Sequence, residues 1–363
     1  MKLTIAKEQL TAALRRALNV ISTRTTLPIL NNVLLETVDG KLVLTGTDLE
    51  VSIRTEVPAT VEDPGTITVL AKKFGQIVGS LPDGEVILET GENQQLAISC
   101  KKSFFKIISM DSAEYPRENQ MENGWSFVST CGELRKSLEK VAYSTSPDET
   151  RRVLNGILMS LRGGLLTMAA TDGRRLAMVE KALPDGVAGE GDVILPPKVV
   201  NELQKLGDDE KQVTVQLSDR RVSFKTADTL ITSKLVDGNY PNYRQAIPGS
   251  FSQTVILPRQ DFLTVLNRVS MVVSETSASV KIKLEKAQAT VSAVSSEIGE
   301  SNEPFDVSYE GKPVQIAFNP GFLMDPLKHL ECDQVTLEFN DEYSPVKISG
   351  DEGFLYIIMP MRV

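Results

Sequence analysis

The sequence predicts an α+β protein built from three tandem copies of one unit, and three observations carry that expectation. Short strings recur in order at nearly constant spacing, each copy opens with a short strand and an amphipathic helix, and runs of alternating apolar residues follow. The repeat comes first because it decides the architecture. Leu30-Asn31-Asn32-Val33-Leu34-Leu35 faces Leu154-Asn155-Gly156-Ile157-Leu158-Met159 at an offset of 124, and Thr47-Asp48-Leu49 faces Thr171-Asp172-Gly173 at the same offset. Ala71-Lys72-Lys73 matches Pro197-Lys198-Val199 at 126, and Tyr115-Pro116 matches Tyr240-Pro241 at 125. A fainter third copy places Ser295-Ser296 opposite Thr171-Asp172, just after the alternating run Ala289–Val294. The strand-like run Val280–Leu284 falls where the Leu-Asn-Gly strand of the second copy projects. Boundaries are expected near Gly124 and Pro248, in loops rich in Asn, Gly and Pro, giving units 1–124, 125–248 and 249–363.

Within each unit a short strand comes first: Met1–Ile5, Trp125–Val128 and Gln253–Leu257. A helix follows over Ala6–Ile21, Cys131–Ser144 and Pro258–Val273. In the first, Leu10, Ala13, Leu14, Ala17 and Ile21 recur at three- and four-residue steps, which marks one buried face. Leu134, Leu138, Val141 and Ala142 do the same in the second. Alternating strands such as Lys41–Leu44 come next, then a shorter helix over Leu70–Ser80, Pro196–Leu206 and Asn319–Leu330. Further strands close the unit, as in Val213–Leu217, Arg221–Lys225 and Leu230–Leu235. Strand-rich sheets with two helices on one side make the α+β class.

Composition narrows the chemistry. The 363 residues carry 39 Lys or Arg and 48 Asp or Glu, a net charge of −9, which argues against a protein that coats DNA with phosphate contacts. A single histidine, His329, leaves little room for His-based catalysis, and it reads as a surface or helix-end residue. Cys100, Cys131 and Cys332 are odd in number and far apart, which favours neither a disulfide framework nor a zinc site, and suits a reducing cytoplasm. Neither a signal-peptide core, an apolar span of membrane length, a phosphate-binding glycine loop nor a dinucleotide fingerprint is present. Asp172-Gly173 reads as a tight turn rather than as a metal or catalytic carboxylate. An enzyme with a cleft between repeats, or a repeat scaffold that binds peptides alone, stays open as an alternative.

The charge is unevenly placed. The six expected helices hold 13 cations and 6 acids, a net +7, so the rest of the chain carries −9 − 7 = −16. Solvated helix faces explain this, and so does a shared basic surface turned toward a polyanion. Lys and Arg scattered along helices contact phosphate without reading sequence.

Specific strings then carry a resemblance. Arg24-Thr25-Thr26-Leu27-Pro28-Ile29-Leu30-Asn31-Asn32, Thr45-Gly46-Thr47-Asp48-Leu49-Glu50, Leu154-Asn155-Gly156, Ala170-Thr171-Asp172-Gly173-Arg174-Arg175-Leu176-Ala177, Ser233-Lys234-Leu235-Val236-Asp237-Gly238 and Met359-Pro360-Met361-Arg362 stand in collinear order over the full length. Together they resemble the bacterial DNA polymerase III beta subunit family, the sliding clamps. The resemblance implies three DNA-clamp domains per chain, and a head-to-tail homodimer closed into a ring with helices inside and sheets outside. It further implies a non-enzymatic role without cofactor or metal: encircling duplex DNA and tethering the DNA polymerase III catalytic subunit. The clamp loader, and other polymerases and repair proteins, would share the docking site.

By the same resemblance Arg24, Lys72, Arg151, Arg152 and Lys198 face DNA. Arg152 and Val153 stand where two aromatic residues are common in the family, which removes a base-stacking platform. A partner-peptide pocket between the second and third units takes Leu154, Thr171, Gly173, Arg174, Arg175 and Leu176. Pro241, Ala246, Val346 and the terminal Ile358, Met359, Pro360, Met361 and Arg362 complete it. Adaptable Met side chains suit a shallow groove for Leu or Phe anchors. Gln245 and Ala246 replace larger or basic residues, so the pocket is expected to be shallower. The run Ile357–Met361 also fits a C-terminal core strand. Phe105 and Ile107 on one side, and Met271 and Val272 on the other, form the implied dimer junction, although Phe104–Ile108 equally fits a core strand.

Overall fold

Alternation of apolar and polar residues generates twenty-five strands among the described residues of the computed structural model, which are 1–21, 27–91, 95–117, 121, 124–183, 187, 189–218, 220–274 and 279–362. The first copy runs β1 (Lys2–Ala6), α1 (Lys7–Leu18), β2 (Asn32–Val38), β3 (Lys41–Thr47), β4 (Val51–Pro58), β5 (Thr60–Asp63), β6 (Thr66–Leu70), α2 (Ala71–Ser80), β7 (Glu85–Gly91), β8 (Gln95–Cys100) and β9 (Ser103–Met110). The second runs β10 (Ser126–Thr130), α3 (Cys131–Ala142), α4 (Arg152–Asn155), β11 (Ile157–Arg162), β12 (Leu165–Thr171), β13 (Arg175–Ala182), β14 (Gly191–Leu195), α5 (Pro197–Leu203), β15 (Gln212–Leu217), β16 (Arg221–Lys225) and β17 (Thr229–Lys234). The third runs β18 (Gln253–Pro258), α6 (Arg259–Val269), β19 (Val280–Glu285), β20 (Gln288–Ser295), β21 (Gly299–Asp306), β22 (Val314–Phe318), α7 (Pro320–His329), β23 (Gln334–Phe339), β24 (Val346–Ser349) and β25 (Phe354–Ile358). The order strand, helix, three strands, strand, helix, three strands is thus the same in all copies, with β5 extra in the first and the one-turn α4 in the second.

Two details differ from the sequence reading. Leu154 and Asn155 belong to α4 rather than to a strand, and Pro28–Asn31 forms the matching 3-10 turn in the first copy. Pro28 fixes φ for a helical turn at its start, so the repeated Leu-Asn ends a turn and the strand begins after it. The helices also stop short of their expected limits: α1 ends at Leu18, and α6 ends at Val269 before a 3-10 turn over Ser270–Val272.

Two compact units result: Met1–Gly132 with Gly186–Gly189 and Asn201–Leu235, and Glu133–Asp185 with Glu190–Val200 and Val236–Val363. The first unit holds one 13-stranded sheet in the order β10-β15-β16-β17-β4-β3-β2-β6-β9-β8-β7-β1-β5. On it α1 buries Leu10, Ala13, Leu14 and Ala17, and α2 buries Ala71, Phe74 and Val78, in one core with Leu35, Leu44, Val86 and Leu96. The second unit holds an eight-stranded sheet, β14-β11-β12-β13-β25-β24-β23-β18, and a four-stranded one, β21-β20-β19-β22.

The units cut across the copies because sheets run through the seams. In the first unit β4 pairs antiparallel with β17, Val51 opposite Ser233 and Thr55 opposite Thr229. In the second β13 pairs with β25, Arg175 opposite Ile358 and Val179 opposite Phe354. In both, the fourth strand of one copy takes the last strand of the next. A ladder satisfies backbone groups that an edge would leave open, so each seam is as continuous as the sheet on either side of it.

Candidate functional site

The seam in the second unit is where most of the expected groove residues meet. At its tip the chain reverses through Thr171-Asp172-Gly173-Arg174. Asp172 accepts from the amides of Arg174 (2.8 Å) and Arg175 (3.1 Å), while the Thr171 hydroxyl donates to the Arg175 carbonyl (2.6 Å) and accepts from the Gly173 amide (3.1 Å). Gly173 sits at φ +91°, a conformation that glycine adopts without strain. Asp172 is therefore occupied in holding a turn. The first copy repeats the device atom for atom: Asp48 accepts from Glu50 (3.0 Å) and Val51 (2.8 Å), and the Thr47 hydroxyl donates to the Val51 carbonyl (3.1 Å). In the third copy the Ser295 hydroxyl accepts from Glu297 (3.3 Å).

Register brings the rest together. Arg175 and Val346 both lie opposite Ile358, Leu176 lies opposite Ile357, and the Met359 amide donates to the Arg174 carbonyl at 3.0 Å. Leu176, Ile357 and Leu158 form a buried cluster covered by Tyr240, Tyr243 and Ile247. The Tyr240 hydroxyl accepts from the Thr171 amide (3.1 Å), and burial pushes its ionisation well up, so it stays neutral. Pro241 and Ala246 are exposed on the loop that these tyrosines anchor, and Met359 is 43% exposed where β25 ends. Pro360 and Met361 follow, half-buried, with the Met361 amide on the Ala317 carbonyl (2.7 Å), and Arg362 is exposed. Leu154 is half-buried on α4, tied to the turn by Arg151, whose guanidinium donates to the Asp172 carbonyl at 3.0 Å. Apolar and Met side chains with exposed edges, beside a rigid turn, can receive the side chains of an extended peptide.

Arg175 is a support and not a wall. Its guanidinium donates to Asp172 (3.1 Å), Asp325 (2.5 Å) and the Tyr143 carbonyl, lies 4.2 Å over the Phe322 ring, and is only 9% exposed. Tyr143, Phe322 and Asp325 were invisible as site residues in the sequence, because nothing in their spacing links them to Arg175. His329 ends α7, exposed, stacked on Tyr143 at 4.9 Å, with Nδ1 donating to the Asp325 carbonyl.

The cations are more neutralised than the helix count suggested. Arg16 pairs with Asp228 (3.0 Å), Lys7 with Asp83 (3.1 Å), Lys136 with Glu331 (2.9 Å), Lys140 with Asp351 (2.6 Å) and Arg268 with Glu303. Acids on strands and loops thus cancel part of the +7. Arg15, Lys72 and Lys73 are exposed in the first unit and Arg152 in the second, without an ion-pair partner among the described residues. Lys198 is half-buried on α5, and Arg24 lies outside the described residues.

Two of the open strand edges are the counterparts of the seam strands. From Ser103 to Ile108, β9 pairs only with β8, and β6 takes up no more than Ser109 and Met110. Phe104 (62% exposed), Phe105 and Ile108 (79%) stand on it, while Ile107 packs toward the core. The expected junction residues on this strand are Phe105 and Ile107; the side chains that stand furthest out are Phe104 and Ile108. In the second unit β21 pairs only with β20, and the turn bearing Met271 (74% exposed) and half-buried Val272 packs beside them. Pro304 on β21 fits an edge, where a missing amide costs no ladder bond.

Comparison with known proteins follows the copies. Residues 1–119 match the family model of the DNA polymerase III beta subunit N-terminal domain, 130–242 that of its central domain and 244–362 that of its C-terminal domain. The chain is 31% identical over 363 residues to the beta sliding clamp of Chlamydia muridarum, covering 100% of this chain and 99% of that one. It is 33% identical over 370 residues to the beta sliding clamp of Haemophilus influenzae, covering all of both. A crystal structure of the DNA polymerase sliding clamp from Bacillus subtilis superposes with a TM-score of 0.96 at 30% identity, covering 100% of this chain and 99% of that one.

Proposed function

Because the chain belongs to the DNA polymerase III beta subunit family, we propose that it is a sliding clamp: a head-to-tail homodimer that encircles duplex DNA and tethers the replicative polymerase. Its three domains follow the copies, 1–124, 125–248 and 249–363. The observation that carries the reading is the seam rule. Two of the three fourth strands are already paired with the last strand of the next copy; β21 is the third, and β9 is the last strand without such a mate. Moving the observed register forward by one copy sets Gly299 of one chain opposite Ile108 of another, and Glu303 opposite Phe104. Lys106 then lies diagonally across from Glu303 and Lys101 level with Asp306, so charge as well as hydrogen bonding favours the junction. Each chain offers one edge of each kind, the condition for a heterologous contact that closes when the rotation allows.

Topological capture needs only weak, sequence-independent contact, which exposed Lys72 and Arg152 supply, with Arg24, Arg151 and Lys198 as further DNA-facing positions. The groove at the β13–β25 seam takes an extended peptide of the polymerase or of the clamp loader, its Leu or Phe anchors resting on Leu176, Ile357 and Met359, while Val346 and Ile358 are buried on the other face of the sheet. Tethering raises the polymerase's effective concentration at the primer end. The role is mechanical and needs no catalytic group.

Loading onto nicked circular DNA tests this. The protein is expected to persist on the circle and to run off after linearisation, and equal loss from both forms would refute encirclement.

A further inference from the structure

The seam in the first unit carries a second groove, at the place equivalent to the first. Its narrow end, about 80 Å³, is walled by Leu49, Glu50, Ser52, Arg221, Ser233 and Lys234. Through Ser52, Pro116, Arg117 and Thr232 it opens into a wider space of about 570 Å³ that adds Leu34, Glu36, Arg54, Met121, Lys225 and Leu230. The backbone frame is shared with the first groove, including the Thr-Asp turn and the Tyr-Pro loop, but the chemistry is changed. Ser52 stands where the first groove has Leu176, Ser233 where it has Ile358, Lys234 where it has Met359 and Arg221 where it has Pro345.

Five cations, Arg54, Arg117, Arg221, Lys225 and Lys234, line this space against two acids, Glu36 and Glu50, on a chain whose net charge is −9. Arg117 and Lys234 use those acids, at 3.3 and 3.0 Å. Arg221 and Lys225 form no ion pair among the described residues, and Arg54 reaches only Glu56, at 3.8 Å. The Nε of Arg54 is buried without a hydrogen-bond partner, a donor that structures rarely leave unmet. We infer that this groove binds an extended acidic segment of a partner protein, its carboxylates on Arg54, Arg221 and Lys225 and its apolar side chains on Leu34, Leu49 and Leu230. Interleaved apolar residues, and Glu36 and Glu50 in the walls, fit such a peptide better than a continuous polyphosphate backbone. The two seams of one chain would then take partners of opposite chemistry.

Fluorescence anisotropy of the full-length protein with a labelled Glu-Leu-Glu-Leu-Glu-Leu peptide tests this. Arg221→Gln with Lys225→Gln breaks no ion pair among the described residues, so an unchanged thermal melt is the fold control. The pair is expected to weaken the acidic peptide about fivefold, as two part-exposed ion pairs would, and Met359→Ala is expected to leave it unchanged. Unchanged affinity in the double variant overturns the inference, and so does loss on Met359→Ala, which would put the peptide in the first groove. Displacement by an equal concentration of oligothymidylate overturns it too, by making the groove a nucleic-acid site. A neutral Leu-Phe peptide measured alongside reads the first groove separately: its failure to bind would count against the proposed partner site and leave this result standing.

Discussion

Leu49 and Gly173 occupy the same turn in successive copies, yet only one is glycine. Leu49 is held at φ +74°, where a side chain crowds its own backbone at a cost of about 1–2 kcal/mol. Leu49→Gly is therefore expected to stabilise the first unit by about 1 kcal/mol, and Gly173→Ala to destabilise the second by a similar amount; urea denaturation of each variant measures both. Arg175→Ala is a larger change. It strands Asp172 and Asp325 beside a buried site and should cost about 3 kcal/mol while lowering peptide affinity indirectly. Asp351 gives the pH dependence. Burial alone would raise its ionisation, but the Lys140 ammonium (2.6 Å) and the amides of Glu331 and Cys332 outweigh it and hold the carboxyl below its ordinary 3.8. A depressed carboxyl contributes stability above the unfolded value that is lost as pH falls through the folded one, so the contribution fades below about pH 4. The stability gap between Asp351→Asn and the unaltered protein should be about 2–3 kcal/mol at neutral pH and shrink toward pH 2.5. A constant gap would place the cost elsewhere.

At the scale of elements, the repeat was legible because backbone frame and apolar alternation are written locally. Leu10, Ala13, Leu14 and Ala17 gave α1 its face, and the constant offset aligned strands whose individual signals were weak. The seams were not legible, since the pairing of β4 with β17 joins residues about 180 positions apart and nothing local specifies it. For the same reason the outward Phe104 and Ile108 could not be told from the inward Ile107: alternation assigns two faces to a strand without saying which one a neighbour covers. The groove was legible residue by residue only through resemblance, and Arg175 shows the limit, because a conspicuous cation turned out to be a strut. The open edge carries its own test. Ile108→Glu adds an acid opposite Gly299 and next to Glu300 of β21, at a position 79% exposed in the single chain, so the fold should survive. Light scattering is expected to move from twice 39.8 kDa to 39.8 kDa.

For the whole molecule, net charge is a poor guide to DNA contact. Exposed Lys72 and Arg152 coexist with −9 because acids elsewhere are spread over strands and loops. Lys72→Ala with Arg152→Ala should lower the salt dependence of direct DNA contact by about two units of slope, read from binding to short linear duplexes over a salt series. Retention on a closed circle should hardly change, since a link does not dissociate with salt. The continuity of the sheets has a further consequence for the proposed ring. The β4–β17 and β13–β25 junctions are bridged by the polypeptide itself, whereas β9 and β21 would be joined by hydrogen bonds and side chains alone. A two-chain ring then has only two places to part without tearing a chain, and they are identical. Either one can serve as the gate, and whichever stays shut becomes the hinge.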